Sequence, residues 1–145
     1  MTYPDDQVVG LLNAHFIPVQ VNIEQASRLA DQYQALWTPN LNFIDGRERR
    51  FCQVIGWLPP SEFAAMLHLA RGQYLLTGKH FDEAAPVFLG VFERFPRSAY
   101  APEALYFHGV SRYLSSHEVP DLKDAWGRLQ RFYPQSKWAM MSNLL

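Results

Sequence analysis

Leu36-Trp37-Thr38-Pro39-Asn40-Leu41-Asn42-Phe43-Ile44-Asp45-Gly46 decides how the first half of this chain is read. Pro39 has a fixed φ, lacks an amide and biases Thr38 toward extended backbone. A helix entering this stretch must therefore end before it, and a strand carrying Leu41 and Phe43 can follow. Asp45-Gly46 suits a tight turn because both residues tolerate positive φ. Residues 50–55 then return as the antiparallel partner, ended by Gly56.

Working outward, Asp5 and Asp6 precede Val8, Val9, Leu11 and Leu12, which fall on one helical face. Carboxylates there cap free amides and favour the positive end of the helix dipole. Phe16-Ile-Pro-Val-Gln-Val21 reads as a strand, with Pro18 favouring a strand end or edge. Residues 26–35 predict a short helix that buries Leu29, Ala30 and Tyr33. Pro59-Pro60-Ser61-Glu62 opens a further helix, continued by Phe63, Met66, Leu67, Ala70, Tyr74 and Leu75. The predicted order is helix, strand, helix, strand, strand, helix.

The 145 residues are 48% hydrophobic and 19% charged, with a formal net charge of -1, which is a globular composition. Near-neutral charge argues against nonspecific nucleic-acid binding, which needs a basic surface to displace counterions. Arg47, Arg49 and Arg50 read as a solvated hairpin turn. No apolar run approaches the roughly 20 residues of a bilayer span, and Met1-Thr-Tyr-Pro-Asp-Asp6 is no signal peptide. The expectation is a cytoplasmic protein without a membrane partner.

Beyond residue 77 the strand signals vanish. Helices are predicted over 81–95, 101–114 and 121–133, with another beginning at Ser136. Phe95-Pro-Arg-Ser-Ala-Tyr-Ala101 repeats as Tyr133-Pro-Gln-Ser-Lys-Trp-Ala139, at an offset of roughly 38 residues. In the same alignment Phe88 matches Trp126 and Val91 matches Leu129. Ser115-Ser-His-Glu-Val-Pro120 is where an insertion relative to a 34-residue repeat fits.

Taken together, Tyr3-Pro-Asp-Asp-Gln-Val-Val9, residues 16–21, Thr38-Pro39, Phe43-Ile-Asp-Gly46, Val54-Ile-Gly56 and Leu58-Pro-Pro-Ser-Glu-Phe63 resemble the thioredoxin fold from the middle of its active-site helix onward. Gly78, Phe81, Ala84, Ala85, Phe88 and Pro96, with Gly109, Trp126 and Pro134 as a second copy, resemble tetratricopeptide helix hairpins. The whole is similar to bacterial thioredoxin-like proteins with C-terminal tetratricopeptide repeats. Tyr3-Pro-Asp-Asp6, residues 13–19, Trp37-Thr-Pro39 and Ala101-Pro-Glu-Ala-Leu-Tyr106 carry that likeness.

The resemblance implies an α+β fold with a truncated thioredoxin-like domain over 1–77 and tetratricopeptide-like helices over 78–145. The helix at 61–77 would be shared between them. It implies that Pro39 is a cis-proline and that Trp37, Thr38 and Pro39 form a peptide-contacting edge, although Asn40 departs from the small or β-branched residue usual after the proline. The Cys-x-x-Cys of that family would lie before this chain's first helix, and one of its strands would lie between residues 16–21 and 41–45. The expectation is N-terminal truncation. A trimmed sheet and a strand donated by another chain are the alternatives.

Cys52 is the single cysteine, so no disulfide within the chain is possible, and a thiol without a resolving partner is expected to be inert. The five histidines, at 15, 68, 80, 108 and 117, show no metal-ligand spacing, and no catalytic residue, cofactor or metal is assigned. Asp82 and Glu83 read as dipole partners at a helix start. Aromatic residues crowd residues 81–113 and serve mostly as core. Tyr106, Tyr113 and Trp126 are the candidates for a groove that holds a peptide.

The function expected is therefore a non-catalytic interaction module with a protein or peptide partner. A homodimer through the uncovered sheet edge is a further possibility, since an open edge invites association. The alternative is a fragment of a thiol–disulfide oxidoreductase whose cysteines lie upstream of Met1.

Overall fold

The computed structural model describes residues 5–143, so Met1 to Pro4, including the Tyr3-Pro4 part of the first motif, lie outside the described residues. The chain is α+β and divides into two compact units, Met1–Pro60 and Ser61–Leu145. The long helix that begins near this boundary is thus grouped with the second unit.

In the first unit, α1 (Asp6–His15) starts where Asp5 accepts hydrogen bonds from the amides of Gln7 and Val8, each at 3.1 Å. These are amides that the helix itself leaves without partners. α2 (Ser27–Gln32) is shorter than predicted and none of its residues is buried. Leu29 is exposed and Tyr33 is its C-terminal cap, so the expected buried face does not form.

β1 (Asn40–Ile44) and β2 (Arg50–Ile55) pair antiparallel as the only sheet among the described residues. A register shift after Phe43 leaves Phe51 as an extra residue on β2. The turn between them differs from expectation. Positive φ falls on Glu48 (61°) and not on Asp45 or Gly46. The reason is the Asp45 carboxylate, which accepts the Arg47 and Arg49 amides at 2.9 Å each and shapes a longer loop. Residues 16–21 are also corrected. They run without strand pairing, and no backbone hydrogen bond reaches residues 17–21 among the described residues.

The second unit contains α3 (Pro60–Thr77), α4 (Phe81–Arg94), α5 (Ala101–Ser116), α6 (Val119–Phe132) and α7 (Lys137–Met141). α5 packs against α4, α6 and α7 in turn. One apolar cluster joins Ala65 and Leu69 of α3 to Ala84, Phe88 and Val91 of α4 and Ala104 of α5. A second joins Leu105, Leu129 and Ala139 beneath a layer of aromatic rings.

The repeated sequence folds twice in the same way. α4 and α6 end at Phe95 (φ -128°, ψ 53°) and Tyr133 (φ -133°, ψ 51°), and each cap amide reaches back to Val91 or Leu129. Ser98 and Ser136 then donate their amides to the carbonyls of those two aromatic residues, at 2.9 and 3.0 Å. Of the residues at 115–120, Ser115 and Ser116 lengthen α5, Val119 and Pro120 start α6, and His117 and Glu118 are the caps between them.

Candidate protein-interaction surface

The two units differ in how they use apolar side chains. Among the described residues only Val8 and Phe43 of the first unit are buried hydrophobics, against seventeen in the second. Ten of the sixteen exposed large hydrophobics among the described residues nevertheless lie in the first unit. Scattered exposed apolar residues are ordinary, but grouped ones mark contact surfaces.

One group surrounds the start of β1. The Thr38–Pro39 bond is cis. The Pro39 carbonyl accepts the Gly56 amide at 2.9 Å, and Asn40 pairs with Ile55, so this end of the hairpin brings the chain segments around 36–40 and 55–57 together. Gly56 stands at φ 107°, a conformation that suits glycine. Leu36, Trp37, Ile55 and Trp57 are 93, 70, 56 and 63% exposed on these two segments. An open depression of about 460 Å³ beside them is lined by Ala30, Asp31, Gln34, Leu36, Gln53 and Ile55.

A polar ladder runs along the same face of this hairpin as Ile55, since Asn40 pairs with Ile55 and Asn42 with Gln53. Asn40 Oδ1 accepts from Asn42 Nδ2 (2.9 Å) and Gln53 Nε2 (3.1 Å). Arg50 and Gln53 donate to the Tyr33 carbonyl at 2.8 and 3.3 Å, a cation and an amide meeting the negative end of α2. Phe43, on the opposite face, meets Phe16 edge-on at 5.5 Å and Phe51 at 6.3 Å. Cys52 lies half-buried opposite Phe43 on β2.

The repeat residues Tyr106, Tyr113 and Trp126 are each partly buried and differ in what they touch. Tyr106 stacks on Trp126 at 4.9 Å and meets Trp138 at 5.1 Å, and Trp126 Nε1 donates to the Tyr106 carbonyl at 3.3 Å. Both rings roof the second apolar cluster, whereas Tyr113 is half-buried and takes no part in it. Close by, Gln73 Nε2 donates to Glu103 at 3.0 Å. Burial raises the Glu103 carboxyl above its usual range, against the opposing pull of Lys137 and of Gln73.

His108 is buried and its Nδ1 lies 2.9 Å from the Ala85 carbonyl, so the ring is placed to donate that proton. Burial lowers its pKa, against the raising effect of that carbonyl. No group of three or more His, Cys, Asp or Glu that could hold a metal ion occurs among the described residues, and no helix there is long and apolar enough to cross a membrane.

Leu36, Ile55 and Trp57 were not singled out from the sequence. The signal that marks Trp57 is its position directly after the strand-ending Gly56, where alternation no longer requires burial. In comparisons with known proteins, no family model, no curated protein and no solved structure matches the chain.

Proposed function

We propose that this chain is a non-catalytic protein-interaction module. A thioredoxin-like unit would offer Trp37, Thr38 and Pro39 to a peptide, and tetratricopeptide-like helices would give a stiff scaffold. The observation that carries this reading is that exposed Leu36, Trp37, Ile55 and Trp57 lie on the two segments that meet at Pro39 and Gly56. Tryptophan gives a large apolar contact with one polar handle and is over-represented among residues that dominate binding energy. The single cysteine excludes a dithiol within this chain and so supports a reading without thiol–disulfide turnover.

Peptides selected from a random display library against the full chain test this reading. Selected peptides are expected to change tryptophan fluorescence and to bind Trp37→Ala or Trp57→Ala roughly thirtyfold more weakly, about 2 kcal/mol. Failure to enrich any peptide, or affinities indifferent to both substitutions, overturns it. In parallel, the chain should reduce insulin with dithiothreitol no faster than dithiothreitol alone, and Cys52→Ser should bind the selected peptides as the native chain does. Turnover above background would show that the chain is catalytic.

A further inference from the structure

We propose that the open edge of β1 is completed by residues 17–21 of a second copy of this chain, in a reciprocal exchange of strands. Both halves of such a contact lie in the first unit. The acceptor is β1. Because Pro39 and Asp45 bond to the β2 side through Gly56 and Arg49, alternation turns Leu41 and Phe43 toward β2 as well. The backbone groups of Asn40, Asn42 and Ile44 therefore face the uncovered edge. At the head of that edge, Asn40 Nδ2 is buried without an acceptor among the described residues, and Ile44 is 46% exposed.

The donor is the segment that was expected to be a strand. Its residues 17–21 carry no backbone hydrogen bond among the described residues, and Ile17 and Val19 are 92 and 77% exposed. A run rich in β-branched residues, exposed to water and without backbone partners among the described residues, is suited to adding to an edge. Pro18 decides which side of it pairs. Having no amide, Pro18 must face away, so Ile17, Val19 and Val21 turn their backbone groups toward the acceptor.

Direction follows from the same geometry. In a parallel pair, residues that face the partner strand share a sheet face with the residues that face away on that partner. A parallel approach thus places Ile17, Val19 and Val21 on the apolar face of Leu41 and Phe43. An antiparallel approach would place them over the polar ladder of Asn40 and Asn42. We therefore assign the parallel arrangement. The occupant is a second copy because donor and acceptor are carried by the same unit, so one two-fold operation satisfies both edges and closes the assembly.

Light scattering on the full chain after size-exclusion chromatography tests this. The expected mass is twice the 16.8 kDa of one chain, falling on dilution. Val19→Pro removes the central pairing amide of the donor and should give a monomer, whereas Pro18→Ala should keep the dimer. Asn42→Pro removes an outward amide of the acceptor and should also give a monomer. Mixing Val19→Pro with Asn42→Pro restores one intact donor–acceptor pair and should restore a dimer of mixed composition. Circular dichroism with unchanged helical signal confirms that each variant is folded.

A native monomer at every concentration, including one that binds a foreign peptide at β1, overturns the proposal. So does a dimer indifferent to both proline substitutions, or a mixture that stays monomeric. The outcome is separable from the peptide-binding reading, because Trp37→Ala and Trp57→Ala should leave the mass unchanged.

Discussion

Gly72 and Gly109 occupy the same place in successive helical pairs. A Cβ on Gly72 would stand 2.6 Å from the Phe88 ring, and one on Gly109 would stand 2.9 Å from Ala125 and 3.2 Å from Trp126. Each glycine lets the aromatic residue that the repeat alignment pairs, Phe88 or Trp126, lie on the helix backbone. Phe88 is fully buried and cannot swing away. Gly72→Ala should therefore destabilise by about 1–3 kcal/mol, despite the better helix propensity of alanine. Phe88→Ala should cost about 3–5 kcal/mol. Urea unfolding of the two variants measures both.

Two titrating residues give opposite pH signatures. His108 has its folded pKa lowered by burial, so its contribution is present above its ordinary 6.5 and is lost as pH falls through the lowered value. His108→Asn, which keeps a donor for Ala85, should flatten this part of the stability–pH curve. Glu103 has its folded pKa raised, so the native protein gains relative stability as pH falls through that value toward 4.5. Glu103→Gln should raise the melting temperature at neutral pH, and the gain should vanish below 4.5.

At the scale of elements, the hairpin is held by its turn and its ladder more than by burial. The Asp45 carboxylate accepts from the Arg47 and Arg49 amides and from Arg49 Nε at 2.8 Å, and these partners lower its pKa. Asp45→Ala should increase amide exchange across residues 40–55 while leaving the helices of the second unit protected. α5 ends at His117 in the left-handed region (φ 61°), where glycine fits without the steric cost of a Cβ. His117→Gly should be neutral or stabilising by about 1 kcal/mol in the same unfolding measurement.

At the scale of the molecule, buried and exposed apolar side chains are divided unevenly between the units. The second unit holds seventeen buried hydrophobic residues and the first holds two, among the described residues. Local opening follows buried apolar contact, so hydrogen exchange should be slowest in α4 and α5 and fastest in residues 17–21. If a second copy supplies the missing strand, exchange at residues 17, 19 and 21 should slow as concentration rises.

Much of this was legible in the sequence. Pro39, the capping residues Asp5 and Ser136, and the helical spacing between 61 and 133 act over a few residues, so local chemistry placed those elements close to where they form. The duplicated Phe95 and Tyr133 turns follow from the same cause, since equal local sequences reach equal caps. Residues 16–21 show the limit. Their pattern is that of a strand, but a strand exists only when a neighbour supplies hydrogen bonds, and among the described residues no neighbour supplies them. The same holds for Leu36, Ile55 and Trp57, whose exposure depends on what packs beside them, and for Gly72, whose role appears only when Phe88 is brought against it. Local propensity and periodicity were therefore determined by the sequence alone. Which edge stayed open, which tryptophans faced water and which glycine had to be small were decided by tertiary structure, because each depends on residues distant in the chain.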